Sequence, residues 1–229
     1  MLFRSLGFPI FMLLLFTVIN ASIPPEASNT VFRPRSITPG IGMFGLTFVM
    51  LFMAMQISRD RETSLLLRLY TSPMKASDFL LGYALPGFVL AIAQLIICFA
   101  AGAVLAAIAG EGLPFVGCVR SVLALLPGAL LFICVGILAG SLMNDKAAPA
   151  VTSILITGAS LLGGVWMPLE QMDGLRKVCE YLPFYPCVRA ARTAMAGSGS
   201  ILTDELIVLA WTLLFAILAV LAFRKKMKQ

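Results

Sequence analysis

The chain contains no histidine, and Asp, Glu, Lys and Arg together make up only 12% of its 229 residues. Without histidine, the commonest general base and metal ligand is missing. None of the long apolar runs holds the pair of carboxylates that hydrolytic acid–base chemistry needs. No glycine-rich loop ends in Lys-Ser or Lys-Thr, so the chain has no loop of that kind to cradle the phosphates of ATP. The apolar runs also lack the Asp, Glu, Lys or Arg that proton- or ion-coupled carriers use as relays. An intramembrane hydrolase and a self-powered pump both lose their chemistry, and no catalytic or metal-ligating residue is assigned. The 5 cysteines make no disulfide framework. Cys98 and Cys134 fall inside apolar runs and Cys118 at the edge of one, while Cys179 and Cys187 share a segment in which they read as two thiols or as one pair.

What the chain has instead is apolar length. With 60% hydrophobic residues it cannot be covered by a soluble surface, so a bilayer is its solvent. Its apolar runs are continuous rather than alternating, which selects helices over a β-barrel. Charge-free stretches run over 5–25, 36–58, 79–110, 121–144, 147–169 and 206–223. Each is long enough to cross about 30 Å of hydrocarbon at about 1.5 Å per residue. The expectation is an all-α membrane protein, a single domain over 1–229 with six transmembrane helices and both termini on one side. Arg4, the first apolar run and Asn20-Ala21-Ser22 fit either a first membrane helix or a cleaved leader. Several further runs follow, so it reads as a first helix; removal would leave five.

Charge sets the orientation. The side holding both termini carries ten basic residues, among them Arg59, Arg61, Arg68, Lys75, Lys146 and the tail from Arg224, against the four acids Asp60, Glu62, Asp78 and Asp145. The other side carries seven of each, so the whole formal charge of +6 lies with the termini, which places them in the cytoplasm. Basic charge spread over short loops beside membrane runs points to anionic lipid head groups and not to nucleic acid.

Two segments between the runs stand out. In SRDRETSLLLRLYTSPMKASDF, Arg61, Leu65 and Leu69 recur at i, i+4, as do Glu62 and Leu66, which suits a short amphipathic helix over 59–70 at the inner surface. Ser72 as N-cap and Pro73 as first residue then start the approach to the third run, forming an elbow. On the other side, Leu169, Met172, Leu175, Val178 and Leu182 recur every three or four residues, predicting an interfacial helix that Pro183 and Pro186 interrupt. Val188, Ala191 and Met195 line a second short piece, and Trp166, Tyr181 and Tyr185 suit the head-group belt. Neither piece is long enough to span, so the expectation is a re-entrant or interfacial helical insertion between the fifth and sixth runs, a small outer cap. Thr203 before Asp204-Glu205 reads as the capped first turn of the last helix. Gly40, Gly42 and Gly45, with no strand before them, read as close helix packing, as do Gly136 and Gly140. Gln94, Thr47, Thr152, Ser153, Thr157 and Ser160 are the polar groups inside the runs, expected to hydrogen-bond to their own helix or a neighbour.

Arg59 to Pro73 resembles the coupling loop of the type-2 ABC exporter permeases, with its Arg-Glu, small residues, Leu, Arg-Leu and Ser-Pro. Gly164-Val165-Trp166-Met167-Pro168-Leu169-Glu170, followed by Tyr181-Leu182-Pro183, is similar to the same family's motifs at the outer end of the fifth span. The resemblance implies the membrane subunit of a bacterial drug, polysaccharide or peptide exporter in the cytoplasmic membrane. A separate nucleotide-binding ATPase subunit, which would hold the ATP and Mg²⁺, docks on Arg61, Glu62, Leu65, Leu66, Leu69, Ser72 and Pro73. Trp166, Pro168, Glu170, Tyr181 and Pro183 form the outer cap, this chain binds no cofactor itself, and it pairs with a second copy or a similar permease. The rival from another class is a non-transporting membrane scaffold.

Overall fold

Runs of Leu, Ala, Ile and Phe without charge leave backbone N–H and C=O groups no partner in lipid except one another, and the described runs resolve this by forming helix. The computed structural model describes residues 2–22, 33–62, 76–197 and 199–227. Among these residues there is no strand. The elements are α1 (Leu2–Ser22), α2 (Pro34–Glu62), α3 (Ala76–Ile108), α4 (Phe115–Leu142), α5 (Ala147–Leu162), a 3-10 turn (Leu169–Gln171), α6 (Asp173–Cys179), α7 (Phe184–Ala196) and α8 (Leu202–Met227).

Each of the six expected runs overlaps one of these helices, though several extend past the helix ends. Among the described residues, four helices, α2, α3, α4 and α8, are long and apolar enough to cross a membrane; the described apolar stretches of α1 (Gly7–Ile19) and α5 (Ala147–Leu162) are shorter. The fifth run was expected to continue to residue 169, and α5 stops at Leu162 after 16 residues. The reason is local. Gly164 takes φ +66°, the left-handed region. There its N–H reaches the Leu161 carbonyl at 3.1 Å while that of Val165 reaches Ser160 at 3.2 Å. That pair of bonds is a Schellman ending, which satisfies the last carbonyls and turns the chain aside.

Hydrogen bonds at both ends of the bundle fix the directions of the helices. The end of α2 meets the start of α3 and the end of α4, and the start of α2 meets the α3–α4 link. Hence α2, α4 and α8 run from what we term the cap end, near α6 and α7, to the elbow end, near residue 62; α3 and α5 run back. The hub is α2, which packs against α1, α3, α4, α5 and α7. Its Met43, Leu46, Met50 and Ile57 are fully buried with Phe132 and Leu125 of α4. At the periphery, α3 and α8 expose Leu81, Leu85, Val89, Leu213 and Ile217, an apolar surface that suits lipid contact.

Helices α2 and α4 meet backbone to backbone. A Cβ added to Gly136 would lie 2.6 Å from the Met50 carbonyl oxygen, and one added to Gly140 would lie 2.6 Å from that of Ala54. Both obstacles are backbone and cannot swing away. Gly42 is likewise tight, against Phe99 and Leu125, and Gly45 faces Gln94, whose Nε2 donates to the Gly45 carbonyl at 2.6 Å. The span hydroxyls bond as expected: Thr47 to Phe44, Thr152 to Ala148 and Ser153 to Pro149. Cys179 and Cys187 are both buried free thiols.

Replacing Gly140 with valine is expected to destabilise the bundle by about 2 kcal/mol or more, because the helices must separate. Gly158, with nothing within 4 Å of a built Cβ, serves as control. Thermal unfolding in mild detergent should show a lower melting temperature for Gly140→Val and no loss for Gly158→Ala, where helix propensity favours alanine; an equal loss in the two would refute this packing.

Candidate functional site

The elbow end is tied together by the last turn of α2. A separate amphipathic helix was expected from Arg59, but Arg59 to Glu62 continue α2, because nothing in Gln56-Ile57-Ser58 breaks the helix. Leu65, Leu66, Leu69, Ser72 and Pro73 lie outside the described residues. Arg61 Nη1 donates to the carbonyls of Gly140 at 3.0 Å, Met143 at 3.2 Å, and Ser141. These groups close α4, where carbonyls lack intrahelical donors and the helix dipole is negative, so a guanidinium caps the end on both counts. The Asp60 carboxylate accepts from Gln56 and, at 2.9 Å, from the hydroxyl of Tyr83 on α3. Arg59 stands 4.0 Å from Asp145 in the link between α4 and α5. Three consecutive side chains therefore bind the end of α2 to α3, to α4 and to the α4–α5 link.

Along the bundle, α1, α2 and α5 border an open cleft of about 480 Å³. Phe8, Met12 and Phe16 come from α1, Phe44 and Phe48 from α2, and Ser153, Thr157 and Ser160 from α5. Trp166 closes the cap side, stacked on Phe16 at 4.9 Å and edge-on to Phe44 at 5.2 Å. The hydroxyls of Thr157 and Ser160 donate to carbonyls of their own helix, at 3.1 and 2.9 Å, which leaves oxygen lone pairs as the polar features of an otherwise apolar wall. Among the described residues, no charged side chain lines it. From the sequence these rings were not brought together, and Trp166 was set in the head-group belt. The signal was present: 8, 12, 16 on one helix, 44, 48, 51 on the next and 153, 157, 160 on the third each mark one helical face.

At the cap end the expected interfacial helix is split. A 3-10 turn over Leu169–Gln171 precedes α6, whose Leu175 and Val178 face outward while Leu169 and Cys179 are buried. Tyr181 is exposed, as the head-group belt requires, but Tyr185 is buried in α7 beneath the Arg189 guanidinium, 5.1 Å from the ring centroid. Trp166 also turns inward, folded over α1 and α2 by the Gly164 turn. Pro168 is half-buried beside the 3-10 turn, Pro183 is buried at the start of α7, and Glu170 falls within the turn. Val188, Ala191 and Met195 do line a second short helix, and there they face the core. Arg192 donates to the carbonyls of Ser36 and Gly164, both at 3.0 Å, pinning the start of α2 to the end of α5. Arg189 grips Asp204, closest at 2.6 Å, and reaches Glu180 at 3.1 Å, which also accepts from Arg176 at 2.9 Å. The hydrogen bond from Arg176, helped by the Arg189 charge, holds the Glu180 carboxyl below the usual carboxylate range. The last helix begins at Leu202, so Thr203 lies inside it; Ser200 Oγ accepts from the Leu202 N–H at 3.4 Å.

The sequence model of a family described as ABC-2 family transporter protein matches residues 16–222. The chain belongs to that family. It is also 27% identical to "Putative transport permease YvfS" of Bacillus subtilis (strain 168), over 224 residues that cover 97% of this chain and 89% of that protein. This ABC-2 chain is thus a multi-pass membrane protein of a transport permease family whose members work with a separate ATP-binding subunit. The family match spans the tied end of α2, the cap, and the cleft apart from Phe8 and Met12.

Two outcomes follow for this ABC-2 chain. Removing Arg61 by Arg61→Ala should cost about 1–3 kcal/mol, since it strips charge-assisted bonds from partly buried carbonyls. The more exposed Arg59→Ala should change stability by about 0.5 kcal/mol or less; thermal melts that rank them the other way would contradict the cap. At the other end, stability from the lowered Glu180 carboxyl is fully present above the unfolded-state value and is lost as pH falls through the lower folded value. Melting temperature should therefore fall on acidification below the usual carboxylate range, and Glu180→Gln should remove that part of the acid sensitivity.

Proposed function

We propose that this chain is the membrane subunit of an ATP-driven exporter in a bacterial cytoplasmic membrane, with all six apolar helices crossing and both termini in the cytoplasm. The observation that carries the reading is the tied end of α2. Residues 63–75 follow it directly, so a force applied there would be delivered to α3 and α4 together, as a lever requires. In this reading a nucleotide-binding subunit, which holds ATP and Mg²⁺, docks with Leu65, Leu66 and Leu69 in its groove, and Ser72 and Pro73 lead back into the membrane. Glu62 pairs with a basic group of that subunit. Arg61 acts by holding α4 to the lever, so its part is positioning as well as contact.

Two copies, or this chain with a similar permease, would enclose the pathway, since one bundle leaves its cleft open on one side. The cleft's rings and uncharged wall suit a hydrophobic or amphipathic cargo, whose apolar surface gains from burial against aromatics. Trp166, Pro168, Glu170, Tyr181 and Pro183 form the outer cap, and Trp166 belongs to both cap and cleft. Membrane lipids are the remaining partners; nucleic acid is not one.

The test is a mild-detergent pull-down of the tagged chain from its own cell, with wild type, Glu62→Arg and the cleft-filling Thr157→Trp. The wild type should bring an ATPase subunit, Glu62→Arg should lose it, and Thr157→Trp should keep it while reducing export at least about tenfold through a blocked path. If no ATPase accompanies the wild type, the exporter reading fails and a scaffold role takes its place.

A further inference from the structure

A second cavity, of about 490 Å³, lies at the cap end between α4, α7 and α8, and its walls carry opposite charges. Arg120 comes from α4 and Glu205 from the first turn of α8, with Thr193 and Gly197 between them. Glu205 is poorly served by the protein. Its Oε1 is buried and meets no hydrogen-bond donor among the described residues. Arg189, the basic residue that α7 brings to this end of α8, is engaged by Asp204 and Glu180. A carboxylate oxygen cut off from water without a donor is costly, and a cation with N–H groups arriving from the cavity would offset that cost.

Depth in the membrane narrows the class of ligand. Arg120 is the last charge before the run 121–144, and Glu205 the last before 206–223, so both stand where hydrocarbon gives way to head groups. One turn further in, on the same helix faces, Leu123 and Leu209 are 58% and 40% exposed. The cavity thus offers a site for an anion at Arg120, a site for a cation at Glu205 and an apolar wall from Leu123, Ala124 and Ile201, with Leu209 exposed beyond it. We propose that it binds the head group of a zwitterionic phospholipid bearing a primary ammonium, with the ammonium on Glu205, the phosphate on Arg120 and acyl chain along Leu123 and Leu209. A quaternary ammonium has no N–H to give Oε1, and an anionic head group leaves Glu205 uncompensated. The inference is independent of the coupling reading, since it concerns the opposite end of the bundle.

The experiment is native mass spectrometry of the full chain, with its ATPase subunit if one co-purifies, titrated with phosphatidylethanolamine, phosphatidylcholine and phosphatidylglycerol of identical acyl chains. Phosphatidylethanolamine should bind roughly tenfold tighter than phosphatidylcholine, the scale of one charge-assisted hydrogen bond. The near-isosteric Glu205→Gln should remove that preference, and Arg120→Gln should weaken all three lipids. Equal binding of the three by the wild type, a comparison that needs no variant to fold, overturns the proposal. So does an unchanged preference in Glu205→Gln. Displacement by soluble glycerophosphoethanolamine at lipid-like concentration would overturn the lipid assignment in favour of a free aminophosphate.

Discussion

The distance between α2 and α4 is the constraint on which the rest of the bundle depends. In lipid there is no hydrophobic force to press two apolar helices together, so association rests on close van der Waals contact and on interhelical hydrogen bonds. Gly136 and Gly140 remove the side chains that would hold α4 off the backbone at Met50 and Ala54. With α2 seated that deeply, its last turn arrives beside the end of α4, within reach of Arg61. A wider spacing would leave the Gly140 and Met143 carbonyls without that donor and the end of α2 without its anchor.

Arginines then finish the work at both ends, three of them by binding backbone. Arg61 closes α4, Arg192 joins the start of α2 to the Gly164 turn, and Arg35 donates to the Gly112 carbonyl at 3.3 Å in the link between α3 and α4. A guanidinium suits this position because it stays charged, offers several donors in a plane and tolerates partial desolvation better than an ammonium. Residues counted in the sequence as orienting charge therefore also act as caps. The two roles are compatible, since helix ends of a membrane bundle lie where charge is allowed.

The two cavities of mechanistic interest differ in their chemistry for the same geometric reason. The cleft between α1, α2 and α5 lies along charge-free runs, so rings and hydroxyls are all it has to offer. The cavity between α4, α7 and α8 lies at the edge of those runs and acquires Arg120 and Glu205. Position along the membrane normal decides which residue types a wall of this protein presents.

Much of the architecture was legible from residues alone. Continuous apolar runs identify helices because lipid leaves the backbone no other partner, the small-residue pair at Gly136 and Gly140 marks close packing, and the motifs around Arg61 and Gly164 point to the family. Periodicity could also have grouped Phe8 with Phe16, and Thr157 with Ser153 and Ser160. What one chain of letters leaves open is which of its faces meet. That Arg61 caps α4 some 79 residues away, that Trp166 and Tyr185 turn inward instead of joining the head-group belt, and that Arg120 shares a cavity with Glu205 were decided only by tertiary structure. The physical reason is that helix formation in lipid is satisfied locally, within a few residues, whereas the partners of a side chain at a helix end depend on how closely and in what direction distant helices pack.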